Sequence, residues 1–130
     1  MAHTAESILA ELREKKIAPV YFLQGEEPYF IDLIANYIEN NILNESEKGF
    51  NQTVVYGRDV TVSTVLNHAR RFPMMSERQV VIVKEAQNIS DLNREQGSAM
   101  LLSYLENPVP STVLVFCHKN KTLDKRSDLA

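Results

Sequence analysis

Residues 19–32 read PVYFLQGEEPYFID, and the fold turns on how this stretch is read. Val20, Tyr21, Phe22 and Leu23 make a compact β-branched and aromatic run, which predicts a strand from Pro19 that Gly25 ends. Pro28 suits the first turn of a helix, where its missing N–H is not needed. That helix is predicted to reach about Leu43, with Phe30, Ile34, Tyr37, Ile38 and Ile42 on one side. A strand, a glycine turn and a helix in succession have the layout of a phosphate-binding loop in a parallel α/β sheet.

The same alternation continues on either side. Ile8, Leu9 and Leu12 predict a short amphipathic helix starting near Thr4. Downstream, a strand over residues 52–56 is closed by Gly57. Thr61 then caps a helix carrying Val62, Val65, Leu66, Ala69 and Phe72. Residues 79–83 form a strand that is apolar throughout. Residues 91–105 are mostly helical, with Gly97 weakening the middle by about 1 kcal/mol relative to alanine. Pro108 and Pro110 stop that helix, and residues 112–117 make a fourth strand, again apolar on both faces.

Strands this hydrophobic belong to a parallel sheet buried on both sides. The expectation is a three-layer α/β fold with helices on both faces, joined by right-handed crossovers. Residues 1–130 read as one domain of a longer protein, lacking a last strand that such sheets ordinarily have. A first strand at the sheet edge would then be left unpaired, which invites association.

Composition sets outer limits. Hydrophobic residues make up 44% and charged residues 24%, ordinary for a globular chain, and no apolar run approaches the length of a bilayer span. The amino terminus lacks the apolar core of a signal peptide, so the expected location is cytoplasmic. A single cysteine, Cys117, lies in the run STVLVFC and reads as a buried thiol. His3, His68 and His118 have no metal-ligand spacing. A net charge of −3 argues against strong DNA binding by the domain alone. Lys119, Lys121, Lys125 and Arg126 form a local basic stretch that reads as a solvated surface, with nucleic-acid contact as the sharper alternative.

The phosphate-binding layout lacks its chemistry. A working loop, GxxxxGK[ST], uses glycines to expose amides, a lysine to neutralise phosphate and a hydroxyl to hold magnesium. Here Gly25 is followed by Glu26, Glu27 and Pro28, and the second glycine, lysine and hydroxyl positions hold Phe30, Ile31 and Asp32. Glu26 and Glu27 repel a triphosphate, and Pro28 removes an amide donor. The third strand ends Val83-Lys84-Glu85, placing Lys84 where a metal-binding aspartate is required. No nucleotide, metal or other cofactor is expected, and no hydrolysis.

Two further chemistries are open. Glu26, Glu27 and Asp59 all follow predicted strand ends and could together hold Mg²⁺ in a phosphoacceptor or regulatory domain. The plainer reading is that the two glutamates favour a helix amino terminus. Ser76, His68 and Glu77 form no recognisable triad, since no nucleophile elbow accompanies them.

Met74 and Met75 stand between the third helix and the third strand. Adjacent residues of a short turn cannot easily face one core together. Either they tuck beneath the helices, or they form an exposed apolar knob for a partner's pocket. Methionine adapts well to such a pocket.

Three segments taken together carry a resemblance: VYFLQGEEPYFID (residues 20–32), FPMMSERQVVIVKEA (72–86) and STVLVFCHKNKTLDKR (111–126). Their order and spacing resemble the amino-terminal domain of the bacterial DNA polymerase III delta subunit family, over essentially the whole chain. The resemblance implies an AAA+-like, P-loop-like domain without a working ATP site, not an enzyme by itself. It also implies a part in DNA replication within the clamp loader of the DNA polymerase III holoenzyme.

In that family a pair of large apolar residues, often Leu and Phe, enters the pocket of the sliding clamp. The matching positions here are Met74 and Met75, with Ser76 and Arg78 helping to orient the turn or meet the pocket rim. Residues 93–100 read as an insertion. The implied partners are the clamp (beta subunit) and, through the lid and collar domains of full-length members, other loader subunits. DNA is reached only through the assembled complex, and no membrane is involved.

Overall fold

A computed structural model describes residues 5–14, 17–25, 28–44, 48–49, 51–71, 73, 78–92 and 94–119. In chain order the elements are α1 (Ala5–Arg13), β1 (Val20–Gly25), α2 (Pro28–Asn41), β2 (Gln52–Tyr56), α3 (Val62–Ala69), β3 (Gln79–Lys84), α4 (Glu95–Glu106) and β4 (Thr112–Lys119). Short 3-10 turns at Gly57–Asp59 and Ala86–Asn88 follow β2 and β3. The strands form one sheet in the order β1-β4-β3-β2, and every neighbouring pair is parallel.

The two continuously apolar strands, β3 and β4, are the central ones. Their side chains alternate between two cores. Val80, Ile82, Val113, Val115 and Cys117 join Tyr21 and Leu23 beneath α1 and α2. Val81, Val83, Leu114 and Phe116 meet α3 and α4 on the other face, where Phe22 stacks on Phe116 at 5.3 Å. The chain crosses the sheet from β1 to β2 through α2, then steps back through β3 to β4. Reversing direction moves a right-handed crossover to the opposite face, which is why α2 lies apart from α3 and α4. The expected three-layer α/β architecture is therefore present, with Cys117 buried as the apolar run implied.

Several local expectations change. The buried stripe of α2 is Ile31, Ile34, Ala35 and Ile38, while Phe30 is 46% exposed. The sheet selects the row containing Ile31, and Phe30 on the neighbouring row turns outward. Helix α4 begins at Glu95 rather than near Asp91. The Asp91 carboxylate instead accepts a hydrogen bond from Val62 N at 3.0 Å, capping α3 from a distance in sequence.

Gly97 lies in the first turn of α4 and is no weak midpoint. A Cβ there would stand 1.9 Å from the Asp91 carbonyl oxygen. Within the stretch that read as an insertion, residues 93–100, Gly97 and Ser98 are buried, and Ser98 Oγ donates to Leu92 O at 2.9 Å. Phe72, predicted on the α3 stripe, lies outside the described residues, as do residues 120–130 of the basic stretch.

Candidate functional site

The carboxyl ends of the strands bring together the residues compared with a nucleotide site. Gly25 ends β1 beside Lys119 of β4, while Glu26 and Glu27 lie outside the described residues. Ile31, in the lysine position of the phosphate-loop pattern, is 4% exposed and packed into the core under α2. A lysine there would point into the sheet, away from any phosphate. Asp32 lies on the exposed side of the helix. Tyr29 and Phe30 meet edge to face at 5.2 Å and, with Leu33, leave an apolar patch open at the start of α2.

Lys84, at the end of β3, has its Nζ 3.6 Å from Glu39 Oε1 of α2. That oxygen has no hydrogen-bond donor among the described residues, so this ion contact is what offsets its burial. Each side chain is about one-third exposed, so the pair adds at most about 1 kcal/mol. Glu85 adopts a left-handed conformation, φ 54 and ψ 46, which costs a residue with a Cβ about 1 kcal/mol. Its carbonyl accepts from Asn88 N at 2.9 Å and lies so near Gly57 that a Cβ there would stand 2.1 Å away. The backbone at this end is locked by close approach.

Asp59 is exposed, with its carboxylate 4.0 Å from Arg58 Nε. It follows β2, whereas Glu26 and Glu27 follow β1, and these strands occupy opposite edges. Three interstrand spacings separate them, about 14 Å. A single Mg²⁺ shell, with ligands at about 2.0–2.1 Å, cannot draw on both strand ends as they stand. Among the described residues no group of three His, Cys, Asp or Glu side chains could hold a metal.

The amino ends of the strands carry the other candidate. Met74, Met75, Ser76 and Glu77 lie outside the described residues, but both flanks of their segment are defined. On one side α3 ends at Ala69. On the other, exposed Arg78 leads into β3. Burial is the largest influence on the Tyr21 phenol and raises its pKa above the ordinary value, opposed by the hydrogen bond from Ala18 N and, after the Glu11 charge, by Arg78. Tyr21 Oη accepts from Ala18 N at 2.9 Å.

Gln79 opens β3 and is 5% exposed. Its backbone N–H donates to Ser111 O at 2.9 Å, joining β3 to the entry of β4. Its side-chain Nε2 donates to Thr112 Oγ1 at 2.9 Å and to Arg71 O, with His68 O and Ala69 O each at 3.3 Å. Thr112 Oγ1 in turn donates to Ala69 O at 2.6 Å. One buried amide and one buried hydroxyl thus serve the Ala69 and Arg71 carbonyls at the end of α3 and just beyond it. Sequence reasoning placed Gln79 at the head of the strand over residues 79–83 and in the segment FPMMSERQVVIVKEA, but gave it no role of its own. The available signal was a lone amide at the head of the run QVVIV, since a buried amide must find partners.

The two regions lie at opposite ends of β3, about 16 Å apart. No helix among the described residues is long and apolar enough to cross a membrane.

The chain was also compared with known proteins. The sequence profile described as DNA polymerase III, delta subunit matches residues 21–130. The DNA polymerase III subunit delta of Bacillus subtilis is 30% identical over 122 residues, which is 91% of this chain and 35% of the relative. The chain therefore spans about a third of that relative's length. Among solved structures, the Bacillus subtilis DNA clamp loader delta protein superposes with a TM-score of 0.80 at 26% identity, covering 97% of this chain and 38% of that one. A DNA polymerase III gamma subunit-related protein from Thermotoga maritima shares the fold, with a TM-score of 0.53 at 20% identity, covering 90% of this chain and 40% of that one. With its parallel four-stranded sheet and a profile match running from β1 to the last residue, the chain belongs to the DNA polymerase III delta subunit family.

Proposed function

We propose that this chain is the sliding-clamp-binding domain of a clamp-loader delta subunit, and that it grips the clamp through Met74 and Met75. The observation that carries the reading is a coincidence of family and place. The family match spans FPMMSERQ, and Gln79 at the end of that segment is tied to Arg71 just before its start, at the amino end of the sheet. Ser76 and Arg78 orient the turn or meet the rim of the clamp pocket.

Each buried methionine contributes ~1.5–3 kcal/mol. Together they supply roughly half of the ~8 kcal/mol that a micromolar complex requires, the rest coming from a wider contact. Ring opening follows from differential binding. A plug that fits a clamp distorted at its interface better than a closed one shifts the population toward the open ring. Other loader subunits, and DNA through the assembled complex, are partners of the full-length protein.

The domain is not itself an enzyme, and ATP acts through other subunits. Buried Ile31, the charge and Glu39 contact of Lys84, and the like charges of Glu26 and Glu27 all support this assignment. Saturating MgATP is accordingly expected to leave the thermal midpoint unchanged, whereas a functional site would raise it.

Calorimetric titration into a bacterial sliding clamp tests the proposal, with a folded Met74→Ala/Met75→Ala variant alongside. Binding by the parent and at least a roughly tenfold weakening in the variant are expected. Equal binding would remove the methionines from the interface. Absence of binding by the parent to a closely matched clamp would remove the function.

A further inference from the structure

We infer that Gln79 is a positioning residue for partner binding, holding together the base of the segment that carries Met74 and Met75. The inference rests on the clamp-binding reading and adds a residue that need not touch the clamp. An amide is out of place at the head of a buried apolar strand unless its hydrogen bonds are satisfied. Here its donor capacity is directed at the end of α3 and just beyond, to Arg71 O, with Thr112 Oγ1 relaying to Ala69 O.

No glycine caps this helix. Arg70 stays in the right-handed region at φ −87 and ψ −3, so the free carbonyls depend on donors from elsewhere in the fold. The consequence is geometric. Arg71 immediately precedes residues 72–78, and Gln79, the first residue of β3, immediately follows them. One side chain therefore joins the two ends of the intervening segment. Because Gln79 N also donates to Ser111 O, the base is fixed to the central strands as well.

A segment whose ends are fixed loses less freedom when its apolar residues enter a pocket, so more of the burial energy remains as affinity. Gln79 acts through this restriction. Methionine at position 79 keeps a similar length but has no N–H to donate. Serine at position 112 keeps the relay hydroxyl and serves as the conservative control.

The experiment measures two quantities on folded parent, Gln79→Met and Thr112→Ser chains. One is the rate of limited trypsin cleavage after Arg71 and Arg78 without partner, and the other is affinity for a bacterial sliding clamp. Gln79→Met is expected to speed cleavage at these two sites and to weaken clamp binding, each by about five- to tenfold. Thr112→Ser should match the parent in both. To show that Gln79 acts through the methionines, Gln79→Met is repeated in the Met74→Ala/Met75→Ala background, where its effect on affinity should fall below about twofold.

Unchanged affinity of Gln79→Met for a clamp that the parent binds would overturn the inference while leaving the clamp reading intact. Cleavage rising equally throughout the chain would also overturn it, because that marks general destabilisation. Failure of the parent itself to bind would remove the clamp reading, and this inference with it.

Discussion

A Cβ at residue 97 would stand 1.9 Å from the Asp91 carbonyl oxygen, so Gly97→Ala has to push Asp91 away from α4. Urea unfolding is expected to show a loss of about 1–3 kcal/mol. A gain of about 1 kcal/mol, as helix propensity alone would give, would contradict this packing. A second residue links the end of α3 to pH. Arg71 Nη2 lies 2.7 Å from His68 Nδ1, and arginine only donates, so Nδ1 is the unprotonated acceptor.

Partial burial, and then the Arg71 charge, hold the His68 pKa below its ordinary 6.5. The unfolded chain therefore binds this proton first. Stability from this site is present above 6.5 and is lost as pH falls from there through the folded pKa. His68→Gln should accordingly flatten the dependence of unfolding free energy on pH between about pH 7 and pH 5. Identical slopes in the two proteins would show that His68 carries none of it. Neither residue could be judged from sequence: the meaning of Gly97 depends on a carbonyl from the preceding turn, and that of His68 on its burial.

Helix α2 shows how far an element can be read without its neighbours. Its existence and start were legible from Gly25 and Pro28, and the strands were legible from β-branched runs bounded by glycine or proline. Most of the buried face was legible too, since Ile34 and Ile38 are in the core and Tyr37 and Ile42 pack against it. Only its first residue was misassigned, because Phe30 and Ile31 begin adjacent rows that both continue through isoleucines. Only the sheet decides between them, and it takes Ile31, Ile34 and Ile38. Ile31→Ala is therefore expected to cost about 2–5 kcal/mol, whereas Phe30→Ser should change stability by less than about 0.5 kcal/mol. Thermal or urea unfolding of the two variants checks the assignment, and reversed magnitudes would place α2 on its other face. The start of α4 was misread for a related reason. Asp91 resembles the beginning of its own helix, but its carboxylate serves Val62 at the start of α3.

On the scale of the whole molecule, the sheet separates two ends that differ in kind. The carboxyl end has the layout of a ligand site, with Ile31 in the core and Lys84 against Glu39. The amino end has a buried amide and a buried hydroxyl joining α3, β3 and β4. Parallel pairing with both faces covered was legible in the apolar strands. The order β1-β4-β3-β2 was not, because β1 pairs with the strand farthest from it in sequence. The polar network of Gln79 and Thr112 was hidden for the same reason, since it exists only once α3 is packed beside the start of β4.

The central claim is that the amino end of the sheet meets the partner and the carboxyl end does not. Amide hydrogen exchange, followed with and without a saturating bacterial sliding clamp, tests it most directly. The expected result is clamp-dependent protection concentrated within residues 72–79, with residues 25–33 and 84–89 unchanged. Protection at the carboxyl ends of β1 and β3, with none in residues 72–79, would contradict it.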